Sequence, residues 1–199
     1  LAIKSSIFLT FSKMPNQTHW IFFYELLVLN ENWEYRFNLI DLKTKVKSYI
    51  QDIRDLEKIK NIVKEINPDI IFHLAAQPIV LESYNDPVYT YETNILGTLN
   101  ILESIKVLDN LQCAVMITTD KVYAWGYREN DILGGDDPYS SSKACAELII
   151  KSYKKSFFND KNIGIARAGN VIGGGDFSKY RIIPDIVRAI EKNEPVELR

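Results

Sequence analysis

The stretch Ile70-Ile71-Phe72-His73-Leu74, followed by Ala75-Ala76-Gln77, decides the fold of this sequence. A short, continuous apolar run is typical of a strand that is buried on both faces, as strands are in a parallel sheet. Apolar residues at helical spacing precede it from Leu56 to Ile66, and Asn67-Pro68-Asp69 ends that helix. The stretch therefore predicts a buried strand that follows a helix.

The same alternation of strands and helices continues on both sides of this stretch. The further predicted elements are a strand at Val46–Ile50, a helix at Pro87–Leu108, a strand at Ala114–Thr118, a helix that begins at Pro138, a strand at Ile163–Ala168 and a helix at Pro184–Lys192. Uniformly apolar strands that alternate with helices predict an α/β fold, a doubly wound parallel sheet with helices on both faces. Ligands of such sheets bind at the carboxyl ends of the strands.

The first 40 residues carry no motif. Ser6–Phe11 is compatible with a buried strand, and the apolar run Trp20–Leu29 fits either a strand or a helix. All nine glycines lie at Gly97 or later. Because the chain begins at Leu1 and ends at Arg199, in the first residues of a strand-like pattern, we expect it to be incomplete at both ends.

Composition excludes several classes of function. The net charge of -2 provides no basic surface for nucleic acid or for a membrane. No apolar run reaches the ~18 residues that a membrane-spanning helix needs. The two cysteines, Cys113 and Cys145, indicate buried thiols in a reducing compartment, hence a cytoplasmic location. Two histidines and two cysteines without ligand spacing predict no metal site.

A tyrosine and a lysine four residues apart, Tyr139 and Lys143, lie on one face of the predicted helix. There the ammonium group favours the ionised phenol and lowers a pKa that starts near ~10. Such a phenolate is a general base at neutral pH. Taken alone, however, the pair favours a solvated helix face, because a tyrosine and a lysine fall four residues apart by chance in many helices.

Polar residues follow the predicted strands at their carboxyl ends. Thr118-Thr119-Asp120-Lys121 offers a hydroxyl, an acid and a base, although a turn with a helix cap is the simpler alternative. His73 is interpreted as a core histidine. Asp52 fits a ribose or adenine contact as well as a surface turn, and Gly173-Gly174-Gly175-Asp176 is interpreted as a flexible loop beside the substrate.

Together these motifs resemble the extended short-chain dehydrogenase/reductase family, whose Rossmann-like fold matches the predicted sheet. The shared motifs, in the order of the family, are QDIRD with Asp52, HLAAQP at 73–78, TNILGT at 93–98, TTDK at 118–121, YSSSK at 139–143 and RAGNVIGGGD at 167–176. Motifs in this order and spacing are far more specific than any one of them. The resemblance covers roughly residues 46–199.

Within that family the sequence is similar to the CDP-glucose 4,6-dehydratases. The residues that carry this similarity are WGYREN at 125–130, Gly134-Gly135, Asp137-Pro138, the run RAGNVIGGGDF at 167–177 and RIIPD at 181–185. A lysine after Asp120 fits the same group, since the dTDP-glucose enzymes usually carry a glutamate there. The near alternatives are another nucleotide-sugar dehydratase or an epimerase of the family.

The resemblance implies NAD-mediated internal redox and loss of water, giving CDP-4-dehydro-6-deoxyglucose from CDP-glucose. Tyr139 would take the C4 hydroxyl proton while hydride passes to NAD, with Lys143 supporting the phenolate and Thr119 hydrogen-bonding the C4 oxygen. Lys121 would then remove the C5 proton, and Asp120 would protonate the departing C6 hydroxyl. Hydride finally returns to C6.

The resemblance also assigns binding residues and partners. The residues implied to contact NAD are Asp52, Ile53, Leu74, Ala75, Ala76, Gln77, Asn94, Thr118, Tyr139 and Lys143, with Asn94 as a structural or relay residue. Those implied to contact the nucleotide sugar are Gln77, Thr119, Arg128, Asn170 and Arg181. The helices Tyr91–Val107 and Tyr139–Phe157 resemble those that pair two subunits in a four-helix interface, and the family context implies deoxysugar and O-antigen biosynthesis.

The sequence departs from the family pattern at its beginning. Family members open with a strand and a glycine-rich turn that holds the pyrophosphate at a helix N-terminus, and no glycine here precedes Gly97. The loop between Tyr123 and Trp125 is also shortened. We divide the chain into a divergent segment 1–40, an NAD-binding domain 41–169 and the start of a substrate-binding region 170–199. A remnant that folds but binds no dinucleotide is the competing hypothesis.

Overall fold

The computed structural model of the 199-residue chain describes residues 7–14, 17–24, 46–49, 51–125, 128–173, 176 and 178–196. The strands are β1 Ile7–Met14, β2 Gln17–Tyr24, β3 Val46–Tyr49, β4 Ile70–His73, β5 Cys113–Thr119 and β6 Asn162–Ala168. The helices are α1 Leu56–Ile66, α2 Val80–Asn85, α3 Pro87–Tyr91, α4 Gly97–Ile105, α5 Pro138–Phe157 and α6 Ile182–Lys192.

The strands form one six-stranded sheet in the order β3-β2-β1-β4-β5-β6. β4, β5 and β6 are parallel neighbours, with Ile71 opposite Ala114 and Met116 opposite Ile165. These are the predicted buried strands, and their boundaries differ from the prediction by no more than one residue at each end. The Rossmann-like fold class is confirmed by this half of the sheet.

The sheet departs from the parallel prediction at β1 and β2. These strands pair antiparallel, from Ile7 opposite Tyr24 to Met14 opposite Gln17, and β1 is also antiparallel to β4. Ser6 of the predicted first strand and residues 25–29 of the second apolar run lie outside the described residues. The physical reason is chain length: two residues separate β1 from β2, whereas a crossover between parallel strands needs about a dozen.

A hydrophobic core forms between one face of the sheet and the helices α1, α4 and α5. Its members are Ile53, Ile59, Val63, Ile71, Ala75, Ile101, Leu102, Ile105, Leu108, Leu111, Ala114, Met116, Ile150, Phe158 and Ile163. The strand side chains that alternate with these, such as Ile70, Phe72 and Val115, are only partly buried. Within the described ranges, the predicted helical layer therefore covers one face of the sheet.

The predicted helix 87–108 is interrupted by a π-helical turn. Glu92–Leu96 forms this turn between α3 and α4. Gly97 follows it, at a position where an added Cβ would lie 2.2 Å from Cδ1 of Ile53. Single π-turns inside helices are frequent at functional sites. The turn contains Asn94, one of the residues expected at the site. No helix among the described residues is long and apolar enough to cross a membrane.

Candidate functional site

The carboxyl ends of β4, β5 and β6 meet at one edge of the sheet, as parallel strands require. Ala75-Ala76-Gln77 follows β4, Asp120-Lys121 follows β5 and Asn170 follows β6. The amino end of α5 contributes Tyr139, whose electrostatic neighbours include Asp120 and Arg181. This edge is the predicted ligand edge of a doubly wound sheet.

Local sequence fixes where α5 begins. Asp137 caps the helix by accepting a hydrogen bond from the Ser140 amide at 3.0 Å, and Pro138 occupies the first helical position. Gly135 has a φ of 132°, and a Cβ there would lie 2.5 Å from the Ser141 nitrogen. Glycine at 135 thus allows the preceding loop to pass against the first turn of α5.

The phenol of Tyr139 is buried, with 9% of the residue exposed. Burial raises its pKa, while a hydrogen bond with Thr119 and the charge of Arg181 act in the opposite direction. The predicted lowering of this pKa by Lys143 is wrong. Lys143 instead donates from Nζ to the Ile117 carbonyl at 3.0 Å, and burial lowers its own pKa to about 8.

Asp120 and Lys121 lie in a 3-10 turn directly after β5. Thr119 Oγ1 caps this turn by accepting from the Lys121 amide at 3.4 Å, and it donates to Asp120 Oδ1 at 3.1 Å. Lys121 Nζ lies 3.6 Å from Asp120 Oδ1 and donates to Asn170 Oδ1 at 3.5 Å. Thr119 therefore caps the turn, as the simpler alternative predicted, and the turn itself carries the predicted acid and base, Asp120 and Lys121. Since the Asp120 and Lys121 side chains are 38% and 40% exposed, they are open to a ligand.

Gln77 and Asn94 are bound to the protein itself. Asn94 Oδ1 accepts from the Gln77 amide at 2.8 Å, and Asn94 Nδ2 donates to Ser142 Oγ at 2.8 Å. The Gln77 side chain donates to Thr90 Oγ1 at 2.8 Å and accepts from the Ile79 amide at 2.6 Å. The structural or relay role predicted for Asn94 is compatible with these contacts and stays a prediction, whereas the ligand contacts predicted for Gln77 would compete with the bonds that its side chain makes.

The Asp52 carboxylate is paired with Arg54. Nε and Nη2 of Arg54 donate to its two oxygens, with distances to Oδ2 of 3.0 and 2.7 Å, and Nη1 binds Glu92 Oε2 at 2.8 Å. Ile53 between them is fully buried. A ribose hydroxyl at Asp52 would therefore share the carboxylate with Arg54, a residue that our sequence reasoning did not assign, although it stands in the QDIRD motif.

The remaining predicted contacts differ in their surroundings. Leu74 is 41% exposed, Ala75 is buried and Ala76 is partly buried. Arg181 precedes α6, with Nε 3.9 Å from Asp176 Oδ2. Arg128 is exposed in a turn closed by its amide to Asp131 Oδ2 at 2.8 Å. Gly126, Tyr127, Gly174, Gly175 and Phe177 of the quoted motifs lie outside the described residues.

A buried ionic cluster behind the site was missed by the sequence reasoning. Glu147 is fully buried and accepts two hydrogen bonds from Arg167, at 2.8 and 2.7 Å, and one from Thr118 Oγ1 at 2.7 Å. Burial raises the pKa of Glu147, but the bonds from Arg167 and Thr118 outweigh it and leave the pKa below its usual value. The guanidinium of Arg167 also lies 4.4 Å from the Tyr123 ring centre. One indication of this cluster stands in the sequence: Glu147 follows Lys143 by four residues and so lies on the same face of α5.

His73 is a core histidine, as interpreted. It is 2% exposed, and its Nε2 lies 3.0 Å from Thr98 Oγ1. Burial, and then the charge of Lys143, lowers its pKa to about 3. The imidazole is neutral at physiological pH, and the described residues contain no group of side chains suited to hold a metal ion.

Among the described residues, groups that could hold a dinucleotide lie at the end of the parallel strands. Tyr139 and Lys143 supply a phenol and an amine near the end of β5, and the small residue Ala76 follows β4. Strand β1, in contrast, is antiparallel to β4, so its carboxyl end lies at the opposite edge of the sheet. The described residues therefore place no phosphate-binding turn between β1 and a following helix.

Comparison with known proteins defines the class to which this fold and site belong. The family described as GDP-mannose 4,6 dehydratase matches residues 24–197. The chain belongs to this family, and the predicted membership in the extended short-chain dehydrogenase/reductases is confirmed.

Two relatives indicate where in the family the chain lies. The chain is 49% identical over 175 residues to the CDP-glucose 4,6-dehydratase of Salmonella typhimurium, covering 82% of this chain and 49% of the relative. It is 34% identical over 163 residues to the dTDP-D-glucose 4,6-dehydratase of Dictyostelium discoideum, covering 74% and 37%. The chain thus spans about half the length of these relatives or less.

Solved structures share the fold. A double mutant of DesIV, the dTDP-glucose 4,6-dehydratase of Streptomyces venezuelae with NAD and DAU bound, superposes with a TM-score of 0.73 at 23% identity, covering 83% of this chain and 51% of that one. The UDP-glucose 4-epimerase of Thermus thermophilus in complex with NAD gives a TM-score of 0.68 at 28% identity, covering 76% and 50%. The Rossmann-like architecture agrees with both.

Proposed function

We propose that this chain carries the acid–base site of a CDP-glucose 4,6-dehydratase that works with NAD. The observation that carries the proposal is the arrangement at the end of β5. Asp120 and Lys121 form an exposed ion pair beside Asn170, and Thr119 connects that pair to the Tyr139 phenol. A hydroxyl, a carboxylate, an amine and a phenol at one strand end suit proton transfers at neighbouring carbons of a sugar.

Each proposed role follows from the surroundings of the side chain. Thr119 and Tyr139, which lie in the buried part of the site, hold the C4 oxygen, and Tyr139 takes its proton. Lys121, on the exposed side, removes the C5 proton once C4 is a ketone. Asp120 protonates the departing C6 oxygen. When bound, NAD supplies the oxidation at C4 and the matching reduction at C6.

Tyr139 is a neutral phenol at neutral pH, because burial raises its pKa. A positive charge brought close to the phenol would lower that pKa again. We assign Lys143 to a ribose of the cofactor, because its amine donates only one described hydrogen bond, to the Ile117 carbonyl, and an ammonium group carries three hydrogens. We assign Asp52, Ile53, Leu74, Ala75, Ala76 and Thr118 to the surroundings of the same cofactor.

The nucleotide preference is tested by direct competition. We expect the chain, with added NAD, to form an alkali-sensitive 4-keto sugar from CDP-glucose in preference to dTDP-glucose. The identity to the Salmonella typhimurium relative supports this choice. Lys121→Met should remove the product, whereas Lys155→Met, at an exposed position of α5, should leave it unchanged. Product from dTDP-glucose alone would contradict the proposed substrate.

We further propose a homodimer and a cytoplasmic location. Apolar side chains remain exposed on or beside the helices of the expected four-helix interface, namely Leu96, Val107, Leu148 and Phe157. Both cysteines are unpaired thiols, partly buried rather than buried as predicted, and unpaired thiols suit a reducing compartment. The 6-deoxy product would enter deoxysugar biosynthesis, such as that of an O-antigen. Sedimentation of wild type and of Leu148→Glu tests the dimer, and a monomeric wild type would contradict it.

A second candidate is a chain that keeps the acid–base site without binding a dinucleotide. The antiparallel pairing of β1 with β2 and β4 favours it, because it places the end of β1 away from the site. Titration of the 199-residue chain with NADH, followed by fluorescence, separates the two candidates. Tight binding that is weakened in Lys143→Met would refute this second candidate.

A further inference from the structure

The main chain of Tyr139 is held on both sides by buried serine hydroxyls that stand outside the proposed catalytic set. The Tyr139 amide donates to Ser83 Oγ at 3.1 Å, and the Tyr139 carbonyl accepts from Ser142 Oγ at 2.7 Å. Both serines are fully buried. They come from different elements, Ser83 from α2 and Ser142 from α5 itself.

The contact to Ser83 provides a hydrogen-bond acceptor for an amide in the first turn of α5. Tyr139 is the second residue of α5, where an amide has no acceptor within the helix. The cap residue Asp137 serves the Ser140 amide with its side chain and the Ser141 amide with its carbonyl. Ser83 Oγ in turn donates to the Val80 carbonyl at 2.6 Å, so its hydrogen is committed and a lone pair faces Tyr139.

The contact to Ser142 continues into the edge of the sheet. Ser142 Oγ accepts from Asn94 Nδ2 at 2.8 Å while it donates to the Tyr139 carbonyl. Asn94 Oδ1 is fixed by the Gln77 amide, directly beyond β4. The residue that carries the phenol is therefore tied to α2, to the π-helical turn and to the end of β4 through buried groups.

A third buried serine, Ser104, makes a hydrogen bond within its own helix and serves as a comparison. Ser104 Oγ in α4 donates to the Asn100 carbonyl, four residues earlier, at 2.7 Å, and Ser83 and Ser142 make similar local bonds to carbonyls three residues earlier in their own helices. Of these three serines, Ser83 and Ser142 also accept a described hydrogen bond from another element, Ser83 from the Tyr139 amide and Ser142 from Asn94. Ser104→Ala is thus a matched control for the loss of a buried hydroxyl.

We propose that Ser83 and Ser142 are positioning residues that fix the Tyr139 phenol against Thr119. The inference rests on the proposed function for its effect on turnover, but its geometry can be tested without activity. A loosened main chain would let the phenol leave its buried position and reach water. A displacement of about 1 Å at a reacting group is enough to cost up to ~100-fold in rate.

The first test follows Tyr139 by NMR in the 199-residue chain labelled with ¹³Cζ-tyrosine, its signal assigned with Tyr139→Phe. Ser83→Ala should lower the titration midpoint of Tyr139 toward ~10, the usual value of a solvated tyrosine. Ser142→Ala should do the same, and Ser104→Ala should not. Equal midpoints in all variants would overturn the proposal.

If the variants do not fold, amide hydrogen exchange in the wild-type chain still tests the contact between Tyr139 and Ser83. Amide hydrogen exchange should be slow at Tyr139, because Ser83 is its acceptor. The Ile183 amide, at the same position of α6, which begins without a side-chain cap, should exchange fast. A Tyr139 amide as fast as that of Ile183 would overturn the role of Ser83.

Turnover provides the second arm of the test. With CDP-glucose and NAD, Ser83→Ala should lower kcat about tenfold with KM unchanged, Ser83→Cys should recover part of the loss, and Ser104→Ala should keep kcat. A wild-type chain without turnover would count against the proposed function alone, and the NMR result would then decide the positioning role. An unchanged kcat in an active Ser83→Ala chain would contradict that role.

Discussion

At the scale of single residues, two buried ionisable side chains near the site, His73 and Lys143, are both driven toward their neutral forms. Burial is the first cause in each case, and it lowers the pKa to about 3 for His73 and to about 8 for Lys143. The apolar run around residue 73 was enough to predict a core histidine. The pKa of Tyr139 could not be predicted from the spacing to Lys143, because burial outweighs a cation that faces Ile117.

His73 should make the stability of the chain depend on pH. In the unfolded chain it binds a proton below about pH 6.5, whereas in the folded chain it stays neutral down to about pH 3. Since the unfolded state then binds more protons, stability is lost as the pH falls through this window. Urea denaturation of wild type and of His73→Gln measures this effect. As the pH falls from about 6.5 to 4, the unfolding free energy of the wild type should drop relative to that of the variant by up to about 1.4 kcal/mol per pH unit. Parallel pH profiles of the two proteins would count against a neutral His73.

At the scale of elements, the entry into α5 depends on a glycine that the sequence reasoning used only as part of a motif. Gly135→Ala would place a Cβ 2.5 Å from the Ser141 nitrogen at a φ of 132°. We expect a loss of about 1–3 kcal/mol in unfolding free energy, because the strain falls on a left-handed backbone position in contact with the helix. Gly164→Ala in β6, where a Cβ meets nothing within 4 Å, should change stability by less than about 0.5 kcal/mol. Equal effects would refute the close approach.

Glu147 joins α5 to both β5 and β6, through Thr118 and Arg167. Glu147→Gln should cost about 3 kcal/mol, because it leaves the Arg167 guanidinium with a weakened partner in a buried place. Glu103→Gln is the matched control: Glu103 also bonds two neighbours, Tyr153 and Lys106, but it is partly exposed and should cost about 1 kcal/mol or less. Denaturation with urea measures both, and equal losses would contradict a buried ionic tie.

Helix and strand positions were predictable wherever the apolar period was regular. The helix Leu56–Ile66 agrees with its prediction in both end residues, and β5 and β6 each extend at most one residue beyond theirs. The π-helical turn at Glu92–Leu96 was not predictable, since its apolar residues also satisfy a continuous helix. Its consequence, the contact of Asn94 with Gln77 and Ser142, depends on tertiary packing.

At the scale of the whole molecule, the sheet consists of two parts with different strand directions. β4, β5 and β6 form the predicted parallel part and present the site, whereas β1 and β2 form an antiparallel hairpin. The absence of glycine before Gly97 already predicted that the usual phosphate turn is missing. The direction of β1 was not predictable, because an apolar run does not specify the direction of its neighbours.

This division separates the two halves of the proposed chemistry. In the proposed chemistry, Lys121 transfers the C5 proton of a ketone, and its neighbours Asp120 and Asn170 lie with it at the parallel part of the sheet. The redox steps need a dinucleotide, whose phosphate side is not provided at the end of β1 in the described residues. A reaction that begins from the ketone therefore tests the acid–base site independently of NAD.

The most direct measurement is the exchange of the C5 hydrogen of CDP-4-dehydro-6-deoxyglucose in D₂O, followed by proton NMR with the 199-residue chain and no NAD. We predict exchange at C5 roughly 100-fold faster than in buffer, an effect of general-base size. Lys121→Met should abolish it and Lys155→Met should preserve it. Exchange at the buffer rate, or an equal rate in Lys121→Met, would contradict the assignment of this strand end as the acid–base site of a dehydratase.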